Sequence, residues 1–299
     1  MNSPSLPTRG QPGAAPSDFL RQVEAWRQLL SQCARKPSRK GVHSLRVATL
    51  RLQAGVECWL RGQEPDAPGA RAAKRWNKQG KKLRRTLNPV READVSLAML
   101  AGLRASTAGP PEGEPPCSRS CNRQIGELEA KLAEKRQAAA KRLIAGIEDR
   151  RKRLERLSTE LEAALAPHTW GCSAEDLRAR IVALREEFPR LDAKSLHPFR
   201  KRIKKVRYLA EISAAADPLA GRQSATLKRM QSAVGEWHDW QGLAQLAGRT
   251  FRCRNTADGL AKLLEARAQE SLRVALSLCR RTTAQLLKRN SGSAPSSQQ

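Results

Sequence analysis

The sequence has few aromatic residues and lacks the long apolar runs that cross membranes. Aromatic residues make up 4% of the chain and include a single tyrosine, so stacking platforms for nucleic-acid bases are scarce. No apolar stretch approaches the roughly 20 residues that a transmembrane helix needs. The amino terminus has neither the charged start nor the apolar centre of a signal peptide. We therefore expect a soluble, cytoplasmic protein without a membrane partner.

The cysteines show no CxxC pair, and their number, seven, is odd. A secreted disulfide framework usually shows an even number of cysteines in tighter clusters. Cys117 and Cys121 lie four residues apart, but no His or Cys partner follows at zinc-ligand spacing. We interpret the cysteines as reduced thiols and predict no metal site and no cofactor.

Acidic residues are also scarce relative to basic ones. The chain has 56 Lys and Arg against 29 Asp and Glu, which gives a formal net charge of +27. Such an excess repels itself in the compact state, and a polyanionic partner would relieve the repulsion. Nucleic acid, an anionic membrane surface and inorganic polyphosphate all fit, and composition alone does not choose among them.

The chain divides at segments that are rich in Pro, Gly and Ser. We predict disordered tails over 1–16 and 290–299, and breaks at 106–118 and 167–173. The rest has helical periodicity and no convincing alternating strand. The predicted helices are 17–33, 40–62, 70–87, 90–105, 119–165, 174–188, 194–215, 221–235, 237–249 and 256–288. The sequence leaves open whether 119–165 is one helix or two that meet near Gly146.

An internal duplication is the most informative pattern. At an offset of 154 residues, His43 aligns with His197, Arg46 with Arg200, Arg51 with Lys205, and Glu57 with Glu211. At an offset of 147, Arg91-Glu92 falls on His238-Asp239. A repeat of about 150 residues exceeds any solenoid unit. We therefore predict an all-α fold of two pseudo-symmetric helical bundles, 17–166 and 172–289.

The basic residues concentrate on the duplicated helices. On 194–211, the positions Leu196, Phe199, Ile203, Val206 and Ala210 form one apolar stripe. Six Lys and Arg lie between 200 and 207 with no acid among them, and like charges this dense destabilise an isolated helix. A bound anion is the natural compensation. Near 71–87, basic residues at steps of 4, 3 and 4 form a second ladder suited to a repeating phosphate chain: Lys74, Lys78, Lys81 and Arg85.

Several motifs resemble the CHAD family (conserved histidine α-helical domain). They are Val42-His-Ser-Leu-Arg-Val47, Leu196-His-Pro-Phe-Arg200, Lys204-Lys-Val-Arg-Tyr208, Gln231-Ser-Ala-Val-Gly-Glu236 and Arg91-Glu-Ala-Asp-Val95. The resemblance implies paired bundles whose basic surface or central opening binds inorganic polyphosphate, and an association with polyphosphate granules. The chain departs from the family pattern at Leu50, Gln53, Asn88 and Glu92.

The resemblance and the basic ladders together nominate the anion-contacting residues. In the first half they are His43, Arg46, Arg51, Lys74, Lys78, Lys81, Lys82 and Arg85. In the second half they are His197, Arg200, Lys201, Lys204, Lys205 and Arg207. We interpret Glu57, Glu211, Asp94 and Asp239 as groups that orient these basic side chains, not as catalysts.

Two other functions remain open at this stage. The first is sequence-nonspecific binding of nucleic acid, although no base-reading motif is present. The second is an enzyme acting on phosphoanhydrides, or its accessory subunit, although no P-loop or clustered carboxylate set is evident. Glu127-Leu-Glu-Ala-Lys131 matches the ExExK pattern of a triphosphatase strand. We reject that match because residues two apart on a helix point in nearly opposite directions.

Overall fold

The computed structural model describes residues 16–64, 67–107, 119–165, 172–187, 190–214, 217–251 and 258–288. Within these ranges all regular structure is helical, which confirms the all-α class. The helices are α1 (Pro16–Arg35), α2 (Arg39–Trp59), α3 (Pro68–Thr107), α4 (Arg119–Leu165), α5 (Ala174–Glu187), α6 (Ala193–Ser213), α7 (Pro218–Phe251) and α8 (Asp258–Lys288). A short 3₁₀ turn, Leu60–Gly62, follows α2. The predicted tails lie outside the described residues except for Pro16. None of the described helices is both long and apolar enough to cross a membrane.

Two pairs of predicted helices are single helices in the structure, and the segment 119–165, which the sequence left open as one helix or two, is one helix. The predicted boundary between 87 and 90 is wrong, because α3 continues through Pro89 with Leu87 and Val90 both buried. The boundary near 236 is also wrong, since α7 keeps Val234 and Trp237 in one core. Helix α4 is one helix of 47 residues and runs through Gly146 without a break.

Helices α2 and α6 begin with side-chain caps at equivalent positions. Ser38 precedes α2, and its Oγ accepts a hydrogen bond of 3.0 Å from the N–H of Gly41. Asp192 and Ser195 form a capping box at the start of α6. Each cap lies five residues before the histidine of its helix. His43 and His197 therefore occupy the same position relative to the start of their helices.

The buried side chains form three clusters. The first lies mainly among α1–α4, and the second mainly among α5–α8. The third cluster is built from the ends of α3, α4, α7 and α8, and it includes Leu100, Leu128, Leu243 and Leu264. This third cluster draws on both predicted bundles, so the two sets of helices share part of their core. The domain boundary at 166–172 stays a prediction.

The helix contacts repeat between the two sets. Helices α1–α4 pack in the order α1 on α2, α2 on α3 and α3 on α4, and helices α5–α8 repeat that order. Equivalent helices also touch each other, as α2 contacts α6, α3 contacts α7 and α4 contacts α8. Such contacts are those expected around a pseudo-two-fold axis. The duplication itself stays a prediction.

The cysteines are not all reduced. Cys33, Cys58, Cys172 and Cys279 are free and buried. Cys121 is disulfide-bonded, so the expectation of reduced thiols throughout is wrong at this position.

Candidate anion-binding site

A large basic cleft lies where α2, α3, α4, α6 and α7 converge. Its volume is about 1580 Å³, and both sets of helices contribute to its walls. Ten basic side chains line it: Arg46, Arg51, Arg91, Lys135, Arg142, Arg200, Lys204, Arg207, Lys228 and Arg249. Five acids line it: Glu92, Glu134, Glu211, Glu236 and Asp239. This two-to-one excess of positive charge in a concave site favours an anionic ligand.

The cleft gathers part of the predicted set of contact residues. Six of them line it: His43, Arg46, Arg51, Arg200, Lys204 and Arg207. The other eight are not among its lining residues: Lys74, Lys78, Lys81, Lys82, Arg85, His197, Lys201 and Lys205. The lysine ladder of α3 lies on an exposed face outside the cleft lining. Whether either group contacts an anion stays a prediction.

Lys204 is the centre of the positive charge. Its amine is partly buried and forms no salt bridge with any acid in the described part of the chain. Burial, the largest cause, and the positive charges of four arginines together lower the pKa of Lys204 to about 7; the arginines are Arg46, Arg200, Arg84 and Arg207. Burial and the charge of Arg84 likewise lower the pKa of Arg46 to about 10. The cluster is therefore electrostatically unfavourable until an anion joins it.

The histidines lie beside this cluster. The ring centroids of His197 and His238 are 4.8 Å apart, with an angle of 51° between the ring planes. Burial, followed by the charge of Arg200, lowers the pKa of His238 to about 4. Burial also lowers the pKa values of His43 and His197, assisted by nearby cations. At neutral pH these imidazoles are neutral until a negative charge arrives.

Acids hold several of the basic side chains in place. Glu211 accepts from Arg51 at 2.8 Å and pairs with Arg207 at 3.2 Å. The guanidinium of Arg207 also lies over the ring of Tyr208, 4.3 Å from its centroid. Asp94 accepts from Arg136 at 3.0 Å. Glu211 thus pairs with two of the predicted contact residues, whereas Asp94 pairs with Arg136, which is not one of them. That these acids orient the anion-binding side chains stays a prediction.

Arg84 is a contributor that sequence reasoning missed. Its Nε donates a hydrogen bond of 2.7 Å to the Oε1 of Gln53, and its backbone oxygen accepts from Arg46 at 3.2 Å. Gln53 is buried, and its amide nitrogen also donates to the oxygen of Asn77 at 2.9 Å. The departure from the family pattern at Gln53 thus holds Arg84 beside Lys204. In the sequence, Arg84 stands out only as a second arginine next to Arg85.

The predicted set of contact residues also omitted cleft-lining residues of α4 and two residues that the second repeat alignment had paired. Lys135 and Arg142 lie seven residues apart on α4 and line the cleft. The sequence of α4 does not distinguish these two residues from the other charged residues of that helix. Arg91 and His238 also line the cleft, and the alignment at an offset of 147 had already paired them.

The two walls of the cleft have equivalent contacts. The charge of Arg91 acts on His43, and its aligned partner His238 contacts His197. Arg46 and Arg200, which align with each other, both act on Lys204. Helices α2 and α6 therefore direct cations to one shared volume. Such an arrangement can hold several negatively charged oxygens at once.

The fold and the cleft define a helical protein with a polybasic site shared between two sets of four helices. The sequence matches the CHAD domain family over residues 17–248, and the chain belongs to that family.

Two solved structures share the fold. The first is the crystal structure of the CHAD domain from the plant Ricinus communis, with a TM-score of 0.61 and 19% identity, covering 94% of this chain and 97% of that one. The second is PptA from Streptomyces chartreusis, with a TM-score of 0.59 and 13% identity, covering 93% of this chain and 99% of that one. No curated protein sequence matches the chain.

Proposed function

We propose that this protein binds inorganic polyphosphate in the basic cleft and does not process it. The observation that carries the proposal is the position of Lys204 among Arg46, Arg84, Arg200 and Arg207, with no salt bridge to an acid in the described residues. A chain of phosphates would supply the missing negative charge to cations from both walls. Membership of the CHAD family supports the same ligand.

The composition of the cleft favours a ligand without bases. Tyr208 is buried under Arg207, which leaves Trp240 as the one large aromatic side chain among the lining residues, beside the smaller imidazole rings of His43 and His238. Proteins that hold single strands usually offer several such platforms. Polyphosphate needs only cations and hydrogen-bond donors. Nonspecific nucleic-acid binding is the alternative against which the proposal has to be tested.

The acids of the cleft favour holding over catalysis. Glu211 lies between Arg51 and Arg207, and Asp239 lies close to the charges of Arg200 and Arg91. Carboxylates in these positions orient cations. The proposed role is storage or organisation of polyphosphate in the cytoplasm, at polyphosphate granules.

A competition experiment tests the proposal. Labelled long-chain polyphosphate is displaced by unlabelled polyphosphate, single-stranded DNA or duplex DNA, matched by phosphate concentration at physiological salt. We expect polyphosphate to compete at least 10-fold better than either DNA, and its affinity to fall steeply as salt rises. Stronger competition by DNA would replace the proposal with nucleic-acid binding. Release of orthophosphate by the pure protein with Mg²⁺, above that of a Lys204→Met variant, would contradict the non-enzymatic role.

A further inference from the structure

A second polar cluster lies away from the basic cleft, where the end of α2 meets the start of α5. It consists of the thiols of Cys58 and Cys172 and the carboxylate of Asp176. One ligand atom from each residue lies within 4.8 Å of the other two. The Sγ of Cys58 is 3.9 Å from an oxygen of Asp176. Both cysteines are 7% exposed, so the cluster lies at the edge of the second hydrophobic core.

We propose that Cys58, Cys172 and Asp176 form a binding site for a soft divalent cation of the zinc class. In a tetrahedral zinc site the metal lies about 2.3 Å from sulfur and about 2.0–2.2 Å from a carboxylate oxygen, which places the ligand atoms roughly 3.4–3.8 Å apart. The observed spacing needs only a small contraction to reach these values. Two thiolates select zinc-like cations over magnesium or calcium.

The backbone holds each of the three ligands in position. Cys58 belongs to the last turn of α2. The carbonyl oxygen of Cys172 accepts a hydrogen bond of 3.1 Å from the Oγ of Ser213 at the end of α6. The N–H of Asp176 donates to the Oγ of Ser173 at 3.0 Å, which fixes the first turn of α5. A cation would therefore enter a site whose backbone is already ordered.

The position of the cluster favours negatively charged ligand atoms. Asp176 lies in the first turn of α5, and the amino-terminal end of this helix favours negative charge on the nearby sulfurs. A bound cation takes the place of the thiol protons.

The cluster joins the two sets of helices. Cys58 belongs to the first set of helices. Cys172 lies just before the second set, and Asp176 lies in the first turn of α5, which begins that set. A bound cation would link α2 to α5 directly and stabilise their packing. A disulfide between Cys58 and Cys172 is the competing chemistry, but both thiols are free in the structure. The carboxylate beside the two free thiols completes a set of three ligands.

Cobalt binding tests this inference independently of polyphosphate. The full chain, reduced and without an affinity tag, is titrated with Co²⁺ alone under anaerobic conditions. We expect thiolate-to-cobalt charge-transfer bands and intense visible bands of a tetrahedral ion, saturating at one equivalent and lost on addition of Zn²⁺. Bound Zn²⁺ should also raise Tm, because the cation binds only the folded site.

Variants assign the signal. Cys58→Ser and Cys172→Ser should abolish the charge-transfer bands, and Asp176→Asn should raise the dissociation constant at least 10-fold. Cys33→Ser removes a buried thiol outside the cluster and should leave the spectrum unchanged. Circular dichroism verifies that each variant folds, and Asp176→Asn is the least disruptive of them. Absence of the bands from the reduced wild-type protein, or their persistence in both cluster cysteine variants, would overturn the proposal. Mass-spectrometric detection of a Cys58–Cys172 disulfide, without cobalt binding after reduction, would do the same.

Discussion

Arg51 of α2 donates to Glu211 of α6 at 2.8 Å, across the contact between the two sets of helices. Its counterpart is the salt bridge between Lys205 of α6 and Glu57 of α2. The offset of 154 residues aligns Arg51 with Lys205 and Glu57 with Glu211. If α2 and α6 are interchanged, each salt bridge therefore takes the place of the other, as in an isologous two-fold interface. This reciprocity assigns Lys205 to the contact between α2 and α6.

Reversing the Lys205–Glu57 pair tests this assignment. Lys205→Glu places two carboxylates together and should lower the free energy of unfolding by about 0.5–1 kcal/mol, as expected of a partly exposed pair. Adding Glu57→Lys should restore most of the loss. Denaturant unfolding of the wild type, the two single variants and the double variant gives the coupling energy between Lys205 and Glu57. Additive effects of the two substitutions would show that the pair contributes nothing.

The wall of the cleft formed by α4 should contribute directly to polyphosphate affinity. Lys135→Glu combined with Arg142→Glu reverses two exposed charges that line the cleft, so we expect the dissociation constant to rise at least 10-fold. The control variant, Lys141→Glu with Lys152→Glu, makes the same charge change on the same helix but outside the cleft lining. It should change the dissociation constant by less than about 3-fold. Fluorescence anisotropy with labelled polyphosphate measures both.

The α3 ladder can be tested in the same assay. Lys78→Glu with Lys81→Glu reverses two exposed ladder charges. If the cleft is the binding site, this variant should behave like the Lys141 and Lys152 control. A loss equal to that of the Lys135 and Arg142 variant would place the ladder in the binding surface, as the sequence pattern predicted.

Lys204 should affect binding and stability in opposite directions. Burial and the neighbouring arginine charges together lower its pKa to about 7, below the ordinary value of 10.5, so the folded ligand-free protein disfavours the charged amine. Because the unfolded chain binds more protons between these two values, the contribution of Lys204 to stability decreases as pH falls from about 10 to 7. Lys204→Met should therefore raise Tm at pH 7 by a few degrees while weakening polyphosphate binding. A variant with lower Tm and unchanged affinity would contradict this role.

Binding should take up protons. A bound polyanion raises the pKa values of Lys204 and of the neighbouring histidines, so affinity should increase as pH falls from about 9 to 6. Lys204 contributes above its ligand-free pKa of about 7, and the histidines contribute at lower pH. Calorimetry at pH 8 in two buffers of different ionisation enthalpy should show uptake of about one proton. Lys204→Arg, which stays charged, should remove most of that uptake.

Local patterns predicted the helices and their buried faces. The apolar stripe of α6, from Leu196 to Ala210, is buried, as its helical spacing predicted. Helix ends were less predictable inside α3 and α7, because Pro89 and Gly235 resemble breaks in sequence. The flanking residues Leu87, Val90 and Trp237 are buried and keep each helix continuous. Tertiary packing overrode the local preference at those points.

The amino-acid sequence alone determined the helical class, the family and the excess of cations on α2, α3 and α6, because periodicity, motifs and charge are local properties. It did not reveal which cations share one volume. Arg84 reaches the cluster through Gln53, and Lys135 and Arg142 reach it because α4 packs along α3. The folded chain also brings Cys58 to Cys172, which are 114 residues apart. Contacts over such separations depend on how helices cross, and no spacing within a single helix encodes that.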